Sequence, residues 1–280
     1  MSADPHPFEQ HEIKVAEREF HDHIYAQSPV EHLPATSAEF LEFYRRVHLT
    51  PFYEGGWSYW SDTRAETFRL LGDLRGKRVL DFGCGAGHAG VYLALRGAEV
   101  WGFDLAPIGV QRAQQLAERY GVSASARFEC SDASALTYPA EFFDVILGIG
   151  VLHHVIKYPQ VAENTARILK PGGRAYFVET LWDNPLINLA RRFSSLEKAA
   201  GDAPLTHRAI KRFAQPFRSV ALHKRHLFYM LKRLAKLPAF EGSQLRPRPV
   251  WKAVHQLDQA VLSLRPLRFF CGEVIVELRK

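Results

Sequence analysis

The sequence has few cysteines and no long hydrophobic run. Its three cysteines lie far apart, at positions 84, 130 and 271, and none belongs to a C-x-x-C pair. A disulfide framework or a cysteine-based structural zinc site is therefore not expected, and a reducing cytoplasm is the expected location. The longest apolar run, at 145–152, has the length of a buried strand, and no charged-then-apolar leader opens the chain.

Acidic residues are scarce in the last third of the chain. Residues 181–280 carry 19 lysines and arginines against seven acidic residues, whereas residues 1–180 carry 17 against 23. This asymmetry fits an anionic partner, and it fits a plain solvated basic face equally well. A basic amphipathic helix predicted at 224–237 has three interpretations: simple packing, contact with an anionic membrane surface, or binding of an anionic acceptor.

The sequence has a regular alternation of strands and helices between residues 76 and 181. Short apolar strands and amphipathic helices follow one another, which predicts a doubly wound, Rossmann-like α/β sheet that is mostly parallel. The predicted strands are 77–82, 98–104, 126–132, 143–151 and 174–180, and the predicted helices are 88–96, 106–120 and 158–170. Outside this core, helices are predicted at 9–26, 37–47, 62–74, 184–193, 207–215 and 251–264.

A glycine-rich loop follows the first predicted strand. Residues 79–90, VLDFGCGAGHAG, spell both G-x-G-x-x-G, the dinucleotide fingerprint, and D-x-G-x-G-x-G. Asp81 discriminates between them, because a carboxylate at a strand end repels a pyrophosphate and favours a ligand that carries an ammonium group. S-adenosylmethionine has such a group, a sulfonium and no phosphate. Gly90 is then interpreted as a small residue that eases helix–strand packing.

Two further acids end the next two strands. Asp104 closes the second strand, where a carboxylate can accept hydrogen bonds from ribose hydroxyls, and Asp132 closes the third, where it can accept from an adenine amino group. Ligands of open α/β sheets bind at this edge. The three acids therefore predict one nucleoside-containing ligand.

These motifs resemble those of class I S-adenosylmethionine-dependent methyltransferases. The stretches VLDFGCGAG, GFDLAP, SDA, FDVILGIGVLHHV and LKPGGRAYFVE match the family's motifs in order and spacing. The resemblance implies S-adenosylmethionine as cofactor and S-adenosylhomocysteine as product. The implied cofactor-binding residues are Asp81, Gly83, Cys84, Gly85, Gly87, Asp104, Leu105, Asp132, Ala133, Gly148 and Ile149.

The resemblance also implies how the chain is divided. It implies a helical segment at 1–75, a cofactor-binding core at 76–181 and a C-terminal part at 182–280. In the last part, strands at about 217–225 and 272–280 would form an antiparallel hairpin that encloses an insertion at about 226–271. The N-terminal helices and this insertion would build a substrate cap.

Two adjacent histidines are the candidates for catalysis. If the methyl acceptor is a hydroxyl or an acidic carbon, a base must take its proton, and His153 and His154 directly follow the fourth strand. The alternative is that one imidazole packs beneath the loop. Substrate contacts are predicted from aromatic residues that could equally be core packing: Tyr25, Tyr53, Trp57 and Trp60.

No metal site is predicted. His21 and His23 lie in FHDH, but no further ligands follow at a defined spacing. Methyl transfer to a small or lipid-like acceptor is the favoured function, with the methylated atom left open between oxygen, nitrogen and carbon. The alternatives are a nucleic-acid methyltransferase, for which the usual Asn/Asp-Pro-Pro-aromatic tetrapeptide is missing, and an NAD-dependent oxidoreductase, which Asp81 disfavours.

Overall fold

Seven strands build one sheet in the computed structural model, which describes residues 7–27, 32–50, 61–183, 205–227 and 248–280. The strands are β1 (Arg78–Phe82), β2 (Glu99–Asp104), β3 (Ala126–Cys130), β4 (Phe143–Ile149), β5 (Leu169–Thr180), β6 (Ser219–Arg225) and β7 (Glu273–Arg279). Their spatial order is β3-β2-β1-β4-β5-β7-β6. The first five strands are parallel, and β7 runs antiparallel to both β5 and β6. The predicted Rossmann-like fold with a C-terminal antiparallel strand is confirmed.

Helices cover both faces of this sheet. They are α1 (Pro7–Ala26), α2 (Ser37–His48), α3 (Ser61–Leu71), α4 (His88–Leu95), α5 (Pro107–Arg119), α6 (Leu152–Val155), α7 (Pro159–Ile168), α8 (His207–Phe213) and α9 (Arg248–Ser263). Short 3-10 helices span Ala133–Ala135 and Arg265–Phe270.

Each face of the sheet has its own hydrophobic core. Because side chains alternate along a strand, Leu80 and Phe82 of β1 enter the core that includes α7 and α8, whereas Val79 enters the core that includes α2, α4 and α5. Asp81 shares the second face with Val79. Because of this alternation, Asp81 lies on the sheet face that α4 covers, close to the first turn of that helix.

The N-terminal helices pack on the parallel core. Helix α1 contacts α5, α2 contacts α4, and α3 contacts β5 and β7. Helix α2 begins with a capping box, in which Thr36 accepts from the Glu39 backbone N–H and the Glu39 carboxylate accepts from the Thr36 backbone N–H. The predicted helix at 184–193 and most of the one at 224–237 lie outside the described residues. Within the described residues, no helix is long and apolar enough to cross a membrane.

The chain around residue 170 differs from the prediction. The helix was expected to continue to 170, but α7 ends at Ile168 and Leu169 already pairs with Phe143 as the first residue of β5. Pro171 and Gly172 cause the difference, because proline lacks an N–H donor and Gly172 has a φ of 75°. The short helix α6 was not predicted either.

Candidate active site

The glycine loop between β1 and α4 is shaped by backbone angles that favour glycine. Gly83, Gly85 and Gly87 have φ values of 69°, 50° and 75°, in the left-handed region that other residues rarely adopt. A Cβ on Gly85 would lie 2.7 Å from the Tyr25 hydroxyl oxygen, so the loop also has no room for a side chain there. The loop therefore exposes backbone groups without side chains at the carboxyl end of the strands.

Asp104 holds this loop against the next helix. Its Oδ2 accepts a hydrogen bond from the Gly85 N–H at 2.8 Å, and its Oδ1 accepts from the Ala106 N–H at 2.9 Å. Burial raises the pKa of Asp104, and the two amide donors partly oppose that change. Each carboxylate oxygen keeps a further lone pair. Asp104 thus positions the loop and can still accept from a ligand hydroxyl.

Asp81 is a buried acid with spare acceptor capacity. It is 3% exposed, and its Oδ2 has no hydrogen-bond partner among the residues that the structure describes. Burial raises the pKa of Asp81 to about 7; the Gly90 backbone opposes the rise and Asp104 adds to it. A Cβ on Gly90 would lie 2.9 Å from this Oδ2, which explains the small residue in α4. An ammonium group at this point would satisfy the carboxylate, so the site fits the methionine part of S-adenosylmethionine.

Asp132 contacts a lysine that the sequence analysis did not identify. Its Oδ1 accepts from the backbone N–H and the hydroxyl of Ser134, at 2.8 and 2.9 Å, and its Oδ2 accepts from Lys14 Nζ at 2.6 Å. Burial raises the pKa of Asp132, but the Lys14 and Ser134 contacts outweigh it and the pKa is lowered. Lys14 belongs to α1, so this ion pair ties the N-terminal helix to the end of β3.

Helix α1 lines the cleft at the carboxyl end of the strands. Lys14, Glu17, His21 and Tyr25 recur at helical spacing and share one side of the helix. They face a cleft whose sheet-side lining includes Gly83, Asp104, Leu105, Asp132, Ala133, Ile149 and His154. A second cleft adjoins the first at Tyr25, Gly83 and Ile149, and it includes Asp81, Cys84 and Gly85.

The two adjacent histidines have different surroundings. His153 Nδ1 lies 2.8 Å from Glu179 Oε2, and Glu179 Oε1 accepts from the Leu152 N–H at 2.6 Å. Glu179 is fully buried, whereas the His153 side chain is 24% exposed. His154 instead turns towards α1, where its Nδ1 lies 3.6 Å from Glu17 Oε1. His153 therefore pairs with the Glu179 carboxylate, whereas His154 contacts Glu17 of α1.

Most of the predicted cofactor-binding residues meet at these two clefts. Gly87 and Gly148 line neither cleft. A Cβ would lie 2.5 Å from the Ala113 side chain at Gly87 and 2.6 Å from the Phe177 ring at Gly148, so packing accounts for both glycines. Tyr25, predicted as a substrate contact, lies against Gly85 of the glycine loop and Gly109 of α5. Tyr53, Trp57 and Trp60 lie outside the described residues. The sequence did contain a signal for the side of α1 that faces the cleft, namely the helical spacing of Lys14, Glu17, His21 and Tyr25.

Comparisons with known proteins agree with this geometry. Residues 80–177 match the family described as "Methyltransferase domain". Over 104 residues the chain is 36% identical to a ubiquinone biosynthesis O-methyltransferase of Coxiella burnetii, covering 37% of this chain and 44% of that protein. Over 128 residues it is 36% identical to the 27-O-demethylrifamycin SV methyltransferase of Amycolatopsis mediterranei, covering 41% and 47%.

The chain thus spans less than half the length of these two curated relatives. Among solved structures, the cyclase SpnF superimposes with a TM-score of 0.56 at 19% identity, covering 89% of this chain and 97% of the other, which shows a shared fold. The fold and the clefts define a Rossmann-like methyltransferase architecture. Residues 80–177 are a class I S-adenosylmethionine-dependent methyltransferase domain. The comparisons do not favour the nucleic-acid and NAD-dependent alternatives.

Proposed function

We propose that the protein transfers a methyl group from S-adenosylmethionine to a hydroxyl group of a small or lipid-like molecule. The observation that carries this proposal is the His153–Glu179 pair, in which His153 follows β4 and Glu179 lies near the carboxyl end of the neighbouring strand β5. A hydroxyl acceptor must lose a proton, and this pair supplies a base with a fixed orientation. The names of the two curated relatives, both methyltransferases of small molecules, support the same class of acceptor.

The chain's own residues are arranged to hold the cofactor. Asp81 would pair with the ammonium group, Asp104 would accept from the ribose, and Asp132 would accept from the adenine amino group. Leu105 and Ile149 provide apolar contact in the first cleft. When bound, the cofactor supplies an electrophilic methyl group on a sulfonium, and S-adenosylhomocysteine leaves as a neutral thioether.

His153 is the proposed base and Glu179 its positioning residue. With Glu179 as the acceptor, the proton at their contact would lie on His153 Nδ1, and Nε2 is the ring nitrogen proposed to take a proton from the acceptor molecule. Glu179 is itself fixed by the Leu152 N–H, and its charge stabilises the imidazolium that forms. Holding the acceptor in line with the methyl group contributes about 7–11 kcal/mol of rate enhancement when the geometry is near attack.

The proposal includes a reducing, cytoplasmic location, supported by three free cysteines at separate positions, two of them buried. Peripheral membrane contact through residues 224–237 stays a prediction, because most of that segment lies outside the described residues.

The test is a methyl-transfer assay with S-adenosylmethionine labelled on its methyl group. Purified full-length protein is incubated with small-molecule and lipid fractions of host extract, and labelled products are identified by mass spectrometry. We expect a methyl ether whose formation falls at least 100-fold in His153→Ala. A labelled amine or carbon-methylated product, or an ether formed equally well by His153→Ala, would contradict the proposal.

A further inference from the structure

A second polar cluster lies at the end of β6, outside the two clefts. We call it the His226 cluster, and it consists of Asp62, His226, His255, Asp258 and Glu273. These residues come from the start of α3, the end of β6, helix α9 and the start of β7. His226, Asp258 and Glu273 are fully buried and Asp62 is 8% exposed. A mixed histidine and carboxylate cluster assembled from four elements needs a chemical reason.

The donor atoms of this cluster converge on one point. His226 Nε2 lies 2.6 Å from Asp62 Oδ2 and 3.8 Å from Glu273 Oε2. Asp62 Oδ2 lies 3.7 Å from His255 Nδ1. One ligand-type atom from each of Asp62, His226 and His255 falls within 4.8 Å of the other two. Two imidazole nitrogens and one carboxylate oxygen therefore face a common centre, and Glu273 Oε2 lies beside one of these nitrogens.

We propose that Asp62, His226 and His255 bind a divalent transition-metal ion such as Zn²⁺, with Glu273 as the fourth ligand. Zinc binds imidazole nitrogen and carboxylate oxygen at about 2.0–2.2 Å, usually with four ligands in a tetrahedron. Ligand atoms around such an ion are roughly 3.3–3.6 Å apart, by the same distances. The separations of 3.7 and 3.8 Å are close to this range, and the 2.6 Å contact would lengthen by about 1 Å.

The surroundings of the ligands are those of an oriented metal site. Asp258 Oδ2 lies 3.7 Å from His226 Nδ1, so a carboxylate faces the ring nitrogen opposite the proposed metal-binding Nε2. This carboxylate–histidine–metal arrangement fixes the tautomer and orientation of metal-binding histidines. On the other side, the Thr63 hydroxyl donates to Glu273 Oε2. Both contacts hold ligands in place without occupying the common centre.

The backbone also brings His226 inwards. Its φ is 55°, a conformation that few non-glycine residues adopt, and its carbonyl oxygen accepts from the Gly272 N–H next to β7. Strained residues of this kind persist where the surrounding structure over-determines them, often at functional sites. The local turn therefore aims the imidazole between α3, α9 and β7.

A proton is the competing occupant of this centre. Carboxylate oxygens of Asp62, Asp258 and Glu273 lie 2.6, 3.7 and 3.8 Å from the ring nitrogens of His226. The surroundings thus favour positive charge, which a metal ion or an imidazolium could provide. His255 Nδ1 approaches the same Asp62 oxygen as His226 does. A metal ion would use this second imidazole as a ligand, whereas a proton shared between His226 and Asp62 would not need it, so the arrangement favours the metal.

The metal would link α9, β6 and β7 to α3 at the sheet edge that carries the His153–Glu179 pair. Glu273 pairs in register with Thr180, the neighbour of Glu179, and Arg225 pairs with Glu273 from the other side. The cluster thus lies at the same sheet edge as the His153–Glu179 pair, two strands further along. Binding there would stabilise α3, β6, α9 and β7 relative to one another.

The test uses full-length protein treated with a chelator and then titrated with Zn²⁺ or Co²⁺, without methyl donor. We expect one ion per chain, a visible Co²⁺ absorption band of a four-coordinate site, and a higher Tm with Zn²⁺. His255→Ala should weaken Zn²⁺ binding at least tenfold, and Asp258→Asn should weaken it about 10–100-fold. His223→Ala is the matched control, because this β6 histidine pairs with Glu277 away from the cluster.

His226→Ala is also to be tested, and the partly exposed His255 provides the decisive variant if His226→Ala fails to fold. Less than stoichiometric Co²⁺ with no visible band would overturn the proposal and identify His226 as a buried imidazolium. Zn²⁺ binding that is equal in wild type, His255→Ala and Asp258→Asn would overturn it as well.

Discussion

The two halves of the sheet edge hold their acidic residues in different ways. At the ends of β1 to β3, Asp104 and Asp132 accept from backbone N–H groups 2 to 19 positions away in the sequence. At the ends of β5 to β7, Glu179 and Glu273 contact side chains that are 26 and 210 positions away. Backbone donors near in the sequence thus hold the acids of the first half, with Lys14 as a distant addition on Asp132, whereas imidazole and hydroxyl side chains distant in the sequence hold those of the second.

This difference separates the two tasks of the molecule. Backbone donors hold acids in fixed positions without consuming all their acceptor capacity, which suits recognition of a cofactor. Imidazole–carboxylate pairs change their protonation or bind cations, which suits proton transfer and metal binding. Substitutions in the two halves should therefore affect different measurements.

The largest effect is expected at the His153–Glu179 pair. His153→Ala should lower kcat about 10²–10⁴-fold, because a positioned base contributes that much, with the Kd of S-adenosylmethionine unchanged. Glu179→Gln should lower kcat less and alter its pH profile, since it acts through His153. The measurements are steady-state kinetics with the acceptor from the labelled assay and calorimetry of cofactor binding. If His154→Ala, the matched control, lost as much kcat as His153→Ala, the roles of the two histidines would have to be exchanged.

Asp104 should give the next effect, on cofactor binding. Asp104→Ala removes a charged acceptor from two backbone N–H groups, each contact contributing about 1.5–3 kcal/mol, so the Kd of S-adenosylhomocysteine should rise about 10–100-fold. Asp144→Asn is the control, because Asp144 lies at the opposite end of the sheet, beside Lys170. Calorimetric titration tests both variants. An unchanged Kd in Asp104→Ala would show that this edge does not bind the cofactor.

Asp81 should make cofactor binding depend on pH. With a pKa of about 7, Asp81 is ionised in about half of the molecules at pH 7 and in about a tenth at pH 6, so affinity for the ammonium group should fall about fivefold between them. Asp81→Asn should bind more weakly and lose this dependence. Titration at pH 6, 7 and 8 provides the measurement, and an equal slope in both proteins would exclude Asp81 as the ammonium partner.

The same residue should affect stability in the opposite direction. Its pKa in the folded protein lies above the unfolded value of about 3.9, so the folded state binds more protons between about pH 4 and pH 7. Stability is therefore lost as pH rises through that window. In the absence of cofactor at pH 8, Asp81→Asn should raise the free energy of unfolding by about 1–3 kcal/mol, measured by denaturant titration.

The smallest effect is expected at the link between α1 and β3. Both side chains of the Lys14–Asp132 pair are partly exposed, so Lys14→Ala should cost about 0.2–1 kcal/mol. If the same free energy holds α1 over the cleft, its loss should speed release of S-adenosylhomocysteine about 1.4- to fivefold in stopped-flow measurements. Arg18→Ala, on the exposed side of α1, should release the product at the wild-type rate. Equal rates in all three proteins would show that α1 does not limit release.

Much of the cofactor half could be predicted from the sequence. Asp81 lies next to the last residue of β1, Asp104 ends β2 and Asp132 follows β3 by two residues. Parallel strands bring their carboxyl ends to one edge, so the three acids were expected to meet. The antiparallel strand at the C-terminus followed from the resemblance, whereas the spatial order of the strands was not predicted. The break after Ile168 was predicted too late, because Pro171 and the φ of Gly172 act on the chain before them.

The sequence by itself determined the doubly wound sheet, the glycine loop and the row of acids, because these depend on residues close together in the chain. Only the tertiary structure decided which histidine meets Glu179, which face of α1 lines the cleft, and that Asp62, His226 and His255 converge. The separations in the sequence are too long for a local pattern to encode such contacts. Three-dimensional packing of α3, α9 and the antiparallel strands brings these side chains together.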